Sequence, residues 1–241
     1  MQHGPQTNDF KLEFCVPSEC ARRIEAGRAD LGIVPVAEME RQGLEPVPGT
    51  GIACHGAVRS ILLISKVEPR EIRTLAADSG SRTSVQLARI ILEERFGVTP
   101  VSFEHAPDLG PMLEVADAAL LIGDEALRVE PDALAYSCLD LGAEWLSLTG
   151  LPMVFALWAG RAEAVRQWDS DLLARSFSGS LDFGMAHMDE IVAQESARRQ
   201  LAPALVRDYL TRNIVFRIGP REQEGLAAFR KLLRSETVPS L

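Results

Sequence analysis

Seven consecutive residues, Asp78-Ser79-Gly80-Ser81-Arg82-Thr83-Ser84, form the sharpest local feature of the chain. They follow a strand-like run, TLAAD (74–78), and open a helical pattern from about Arg82 to Phe96 that Gly97 stops. A strand–loop–helix junction points several backbone N–H groups and the positive end of the helix dipole at one spot. Hydroxyls from Ser81, Thr83 and Ser84, with the Arg82 guanidinium, add donors suited to a carboxylate or a phosphate. A plainer reading competes: Ser81 caps the helix and Arg82 is solvated. Gly80 does not make a P-loop, because no Gly-Lys-Ser/Thr follows it.

Two further stretches carry chemistry. GTGIACHGAV (49–58) places three glycines before a buried strand, which lets backbone approach a ligand closely. His55, followed by Gly56, is able to donate, accept or shuttle a proton; the alternative is a turn whose glycines satisfy positive φ angles. IGDEAL (122–127) lies at a strand end, where open α/β sheets keep their ligand crevices, and there Asp124 reads first as a helix N-cap. The four histidines (His3, His55, His105, His187) form no ligand pair, so a metal site has no support. Cys15, Cys20, Cys54 and Cys138 form no CxxC pair and read as reduced, mostly buried thiols.

The elements that must position these residues follow from apolar periodicity. Residues 11–16 alternate Leu12, Phe14 and Val16 as a half-buried strand, and Ser18 is placed to cap a helix through Glu25. A strand at 31–36, a helical piece at 37–41 and a strand at 58–65 follow. A second βα series comprises 74–78, the helix after it, and strands near 98–103 and 118–122. An apolar stretch at 136–141, a helix at 142–150 and a returning strand at 152–158 complete it, with Trp145 and Trp158 as packing residues. Helices then occupy about 162–178, 180–199, 203–212 and 220–234, with Pro203 and Pro220 in first turns. Continuous apolar strands between helices predict a parallel or mixed sheet covered on both faces.

Composition narrows the function classes. With 241 residues, 46% hydrophobic and 24% charged, the chain is neither disordered nor disulfide-stapled. A net charge of −9 argues against a nucleic-acid partner but leaves an anionic small ligand open, since single arginines and local dipoles hold anions at any net charge. No window approaches the length of apolar sequence that crosses a bilayer, and the first nine residues lack the two regions of a signal peptide. From the residues alone the reading is a two-lobed α/β small-anion binder, with enzyme and binding protein both open.

Six segments in order narrow it further. PSECA (17–21), GRADLGIVPVAE (27–38), GIACHGAVRSILLIS (51–65), DSGSRTSVQLARIIL (78–92), DAALLIGDEAL (117–127) and DLGAEWLSLTGLPMVFALWAG (140–160) resemble the chorismate dehydratases of the futalosine route to menaquinone. The resemblance covers about residues 10–235. It implies a two-lobed α/β fold of the periplasmic-binding-protein type (type II), with mixed sheets and a helical C-terminal part. Lobe 1 is expected at 1–76 plus 155–241, lacking its first strand, and lobe 2 at 77–154. The reaction implied converts chorismate to 3-[(1-carboxyvinyl)oxy]benzoate and water, as a cytoplasmic hydro-lyase without metal or organic cofactor. The implied partner is chorismate, with no nucleic acid or membrane, and the chain is expected to be a monomer or homodimer. Ser81, Arg82, Thr83, Ser84, His55 and Gly56 become the substrate-binding candidates, and Ser84 and His55 the candidates for catalysis. In this picture the Cys54–Val58 loop faces the substrate from the lobe opposite the helix start.

One departure sets a further expectation. Family members begin with a strand and an Asn-Thr loop of the YLNTxPL kind, whereas this chain starts at Met1-Gln2-His3-Gly4-Pro5. Met1 is therefore expected to be an internal methionine preceded by about 20 further residues of strand and loop. Two other activities stay open: a non-catalytic solute-binding or sensor protein for an aromatic carboxylate, and the sister lyase that acts on cyclic dehypoxanthine futalosine.

Overall fold

In the computed structural model, residues 9–78 and 82–236 are described. In chain order the elements are α1 (Pro17–Glu25), β1 (Leu31–Pro35), α2 (Val36–Gln42), β2 (Glu45–Cys54) and β3 (Ile61–Ser65). Next come β4 (Thr74–Asp78), α3 (Arg82–Phe96), β5 (Val101–His105), α4 (Leu109–Val115), β6 (Ala118–Ile122), α5 (Gly123–Arg128), β7 (Ser137–Asp140) and α6 (Leu141–Thr149). The remainder is β8 (Met153–Gly160), α7 (Ala162–Arg166), α8 (Ser170–Ala186), α9 (Met188–Arg199), α10 (Pro203–Asp208), β9 (Val215–Arg217) and α11 (Pro220–Glu236). Sorted by contacts, the chain forms two units: Met1–Ala53 with Val154–Pro220, and Cys54–Met153 with Arg221–Leu241.

The first unit holds a four-stranded sheet in the order β1-β8-β2-β9. β1 runs antiparallel to β8, from Leu31 opposite Gly160 to Pro35 opposite Ala156. β9 is antiparallel to β2, with an irregularity between Thr50 and Ala53. Gly51 lies in this sheet, where a Cβ would sit 2.7 Å from the Ala156 carbonyl oxygen. Gly51 therefore serves close packing of neighbouring strands, while Gly49 (φ +100°) and Gly56 (φ +138°) take the positive φ angles of the turn reading. Val47, Leu173 and Phe177 make a core cluster, with Trp158 stacked on Phe177 at 4.5 Å between ring centroids.

The second unit holds a five-stranded mixed sheet in the order β5-β4-β6-β3-β7. β4 is parallel to β5 and β6, and β3 is antiparallel to both β6 and β7. Every residue of β3 is buried, as a central strand with covered faces requires. α11 belongs here because Gly225 sets its backbone against Pro152; a Cβ there would be 2.0 Å from the Pro152 carbonyl oxygen. Beside it, the fully buried Trp145 meets Phe229 edge-on and donates its indole N–H to the Pro152 carbonyl at 3.1 Å.

β3, in the segment expected in lobe 1, pairs with β6 and β7, and the described part of 221–236 groups with the second unit through the Gly225 and Phe229 contacts. Several expectations are corrected. Residues 11–16 form no strand; the alternation finds no partner, and Phe14 and Val16 stay 75% and 61% exposed. Val16, not Ser18, precedes the first helical residue, because Pro17 already has the fixed φ of a helix start. Asp124 is not an N-cap but a first-turn residue of α5, since Gly123 at φ +62° turns the chain straight from β6 into the helix. β9 lies in a stretch left without an element by periodicity.

Candidate functional site

All the described candidate residues belong to the second unit and converge on one end of its sheet. The register puts the carboxyl ends of β4, β6 and β7 there, together with the start of β3, since Ile61 faces Ile122 and Leu62 faces Asp140. From this end spring the first turns of α3, α5 and α6, and over it runs the 55–60 loop. This is the edge at which open α/β sheets hold ligands, and with strands near 4.8 Å apart the β4 and β3 ends lie roughly 10 Å from each other.

The α6 start is already occupied by its own carboxylate. Asp140 Oδ1 accepts from the N–H groups of Gly142 and Ala143 at 2.9 and 3.1 Å, and also from Val58 N at 2.9 Å. Its other oxygen accepts from Arg59 N at 2.6 Å. One side chain thus caps a helix and fastens the loop that carries His55 and Gly56. Arg59 adopts φ +65°, a conformation that strains a residue with a Cβ. Its guanidinium compensates by donating to the carbonyls of Ala126 at 2.9 Å and Val129, where the C-terminus of α5 attracts a cation. The fit is tight: a Cβ on Gly142 would lie 2.4 Å from the Gly56 carbonyl oxygen and 2.6 Å from Cys54 Sγ. Burial pushes the Cys54 thiol up to about 12, against N–H groups of Gly56 and Met153 that favour the thiolate, so it is no nucleophile at neutral pH.

His55 has a partner that its sequence neighbourhood did not reveal. Its Nε2 is hydrogen-bonded to Glu222 Oε1, in the first turn of α11. The His55 side chain is 52% exposed, and that of Glu222 only 8%.

On the other side of the site, α3 begins at Arg82, the sequence-derived boundary. Thr83 and Ser84 are buried at 0% and 1% exposure, whereas Arg82 is exposed. Ser81 falls outside the described residues. An open groove of about 300 Å³ runs beside Arg82, along the α3 face bearing Gln86 and Arg89 and the edge strand β5. His55, Gly56, Thr83 and Ser84 do not line it.

One geometric expectation is overturned. The 54–58 loop and the start of α3 were expected in opposite lobes, yet both belong to the second unit. Asp140, Arg59 and Glu222 were not singled out. Asp140 carried a signal, an acidic residue just before a helical run. Glu222, 167 residues from His55, carried none. Among the described residues, no three His, Cys, Asp or Glu side chains gather as metal ligands, and no helix is long and apolar enough to cross a membrane.

Comparison with known proteins agrees with this architecture. The model of a family described as menaquinone biosynthesis matches residues 1–235. A chorismate dehydratase of Thermus thermophilus is 27% identical, over 97% of this chain and 90% of its own length. Among solved structures, a protein from Archaeoglobus fulgidus superposes with a TM-score of 0.71 at 14% identity, covering 93% of this chain and 85% of its own. The alkanesulfonate-binding protein SsuA of Xanthomonas axonopodis, bound to MOPS, gives 0.66 at 15% identity, over 95% and 83%. The Escherichia coli periplasmic aliphatic sulphonate binding protein gives 0.63 at 13%, over 95% and 82%. The fold is thus α/β, of the periplasmic-binding-protein kind, with a helical C-terminal part.

Proposed function

The chain belongs to the menaquinone-biosynthesis family, and on that premise we propose that it is a chorismate dehydratase, a hydro-lyase acting in the cytoplasm. The observation that carries this reading is the near full-length similarity to the Thermus thermophilus chorismate dehydratase. The geometry is consistent with it, because a helix start with buried hydroxyls and a tethered histidine loop share one end of one sheet.

The chemistry asks little of a protein beyond positioning. In chorismate the ring C–H that is lost is vinylogous to the ring carboxylate, and the product is aromatic. The C–H bond breaks, its electron pair becomes the new ring double bond, and the C–O bond breaks with its electrons on the departing hydroxide. The proton lost from carbon returns to that hydroxide, giving water. The protein must hold two carboxylates, limit access of water and move one proton. The first-turn N–H groups of α3, with donors from Ser81, Thr83 and Ser84, are assigned to one carboxylate, and Arg82 adds positive charge beside them. Gly56 lets the loop backbone approach the substrate. His55 is the protein group proposed to relay the proton, with the substrate's own enolpyruvyl carboxylate as the alternative acceptor.

The test is incubation with chorismate, followed by mass spectrometry for a product lighter by one water. Ser84→Ala should lower kcat/KM roughly 10- to 100-fold, the worth of one hydrogen bond to a charged group. Full turnover in a Thr83→Ala, Ser84→Ala double variant sinks the carboxylate assignment. Binding of chorismate without product sinks the dehydratase reading in favour of a binding protein, and turnover of cyclic dehypoxanthine futalosine instead transfers it to the sister activity.

A further inference from the structure

The bond between His55 and Glu222 joins an exposed imidazole to a carboxylate that is almost wholly removed from water. A buried carboxylate is tolerated when a charged or strongly polarised donor meets it. Here one such donor is the ring. A carboxylate oxygen only accepts, so in this bond Nε2 is the donor. A neutral imidazole carries one N–H, which leaves Nδ1 bearing the lone pair. Among the described residues Nδ1 makes no hydrogen bond. Glu222 is itself held by a well-anchored element: α11 is set by the Gly225–Pro152 approach and by Phe229 against Trp145. The loop under His55 is fastened just as firmly, through Asp140 and Arg59.

We propose that Glu222 is a positioning residue: it holds His55 as the Nε2–H tautomer and leaves the unprotonated Nδ1 to relay the proton of the dehydration. The inference rests on the dehydratase reading for the relay, but not for the hold on the ring. In the step itself Nδ1 takes the proton from the breaking ring C–H bond and returns it to the hydroxide leaving the adjacent carbon. The imidazole ends as it began, and one water is formed. Glu222 never touches the substrate; it acts through the ring's orientation and through the imidazolium that exists in mid-reaction.

Two measurements on the full chain test this. In the first, kinetics are compared for the wild type, Glu222→Gln, His55→Ala and the double variant. Glu222→Gln should lower kcat on the order of 100-fold, within the range of a positioned proton relay, while KM moves less than about threefold. In the His55→Ala background the second substitution should cost nothing more, because the two residues act as one unit. A Glu222→Gln enzyme with unchanged kcat, or losses that simply multiply in the double variant, overturns the proposal.

The second measurement needs no activity. Imidazole ¹⁵N spectra of histidine-labelled wild type, with the His55 signal identified by its loss in His55→Ala, should show Nε2 protonated and Nδ1 bare. In Glu222→Gln the fixed preference should disappear. A wild-type spectrum with the proton on Nδ1 overturns the proposal whether or not the variants fold. Absence of wild-type turnover overturns the dehydratase reading and the relay role with it, while the spectrum still decides whether Glu222 holds the ring.

Discussion

Replacing Asp140 by asparagine separates what its two oxygens do. The Oδ1 atom accepts three N–H groups, from Val58, Gly142 and Ala143, and Oδ2 accepts one, from Arg59 at 2.6 Å. Asparagine keeps three acceptor contacts by placing its oxygen where Oδ1 stood, and this turns its NH₂ toward the Arg59 N–H. Two donors then face each other at the residue that holds φ +65°. Losing one bond to a charged acceptor costs about 1.5–3 kcal/mol, and the three retained bonds weaken as their acceptor becomes neutral. We expect a total of about 3 kcal/mol in the second unit, and in Asp140→Ala about 1 kcal/mol more from loss of the cap. Trp145 lies in this unit, whereas Trp158 and Trp168 lie in the first, so a Trp158→Phe, Trp168→Phe background makes tryptophan fluorescence report the second unit alone. Amide exchange followed by mass spectrometry should show peptides over 55–60 opening about 100-fold more readily in the asparagine variant, the equivalent of that energy. A fluorescence-monitored urea midpoint equal to the parent's, with unchanged exchange over 55–60, refutes the reasoning. In that case the loop is held by something other than Asp140.

Two further perturbations test the surroundings. Gly142→Ala should destabilise the second unit by about 1–3 kcal/mol, because the new methyl meets the Gly56 backbone oxygen at 2.4 Å and neither backbone gives easily; an unchanged unfolding midpoint refutes that packing. At Asp117 burial raises the carboxyl, but the N–H groups of Arg73 and Thr74, the Thr74 hydroxyl and the Lys66 charge outweigh it and leave it below its usual value. A depressed folded-state value stabilises above the unfolded value of about 3.9 and stops doing so as pH falls through the lower folded one. Asp117→Asn should therefore cost about 1–2 kcal/mol at pH 6, and the gap from wild type should close on acidification below about pH 4; a gap that widens there contradicts the assignment.

Legibility in the sequence followed the range of the interaction that fixed each element. α3 was readable to the residue, because its apolar spacing and the Gly97 stop are local. β4 and β6 were readable for the same reason, as short apolar runs bounded by turn residues. The start of β3 was misplaced at Val58 because that residue's N–H goes to Asp140, 82 positions away, instead of into the sheet. β9 has three residues and exists only through its pairing with β2, and 11–16 failed as a strand because an alternating pattern says nothing about whether a neighbour is present. For a related reason, contacts across the chain decide which sheet receives β3 and which unit receives α11.

The candidate site divides along the same line, which constrains where its chemistry lies. The half proposed to bind an anion was read from seven adjacent residues of the sequence, of which 79–81 lie outside the described residues. The half proposed to handle the proton draws on residues 55, 140 and 222, each contributed by a different segment. A local motif of that first kind suits a binding protein as well as an enzyme, since holding a carboxylate is common to both. A buried carboxylate tied to an exposed imidazole is different: it fixes the ring's proton, and binding a carboxylate needs no such control. If the chain only bound its ligand, Glu222→Gln should leave affinity and function alike intact. A loss confined to turnover would therefore distinguish enzyme from binding protein at a residue that the local motifs never touch.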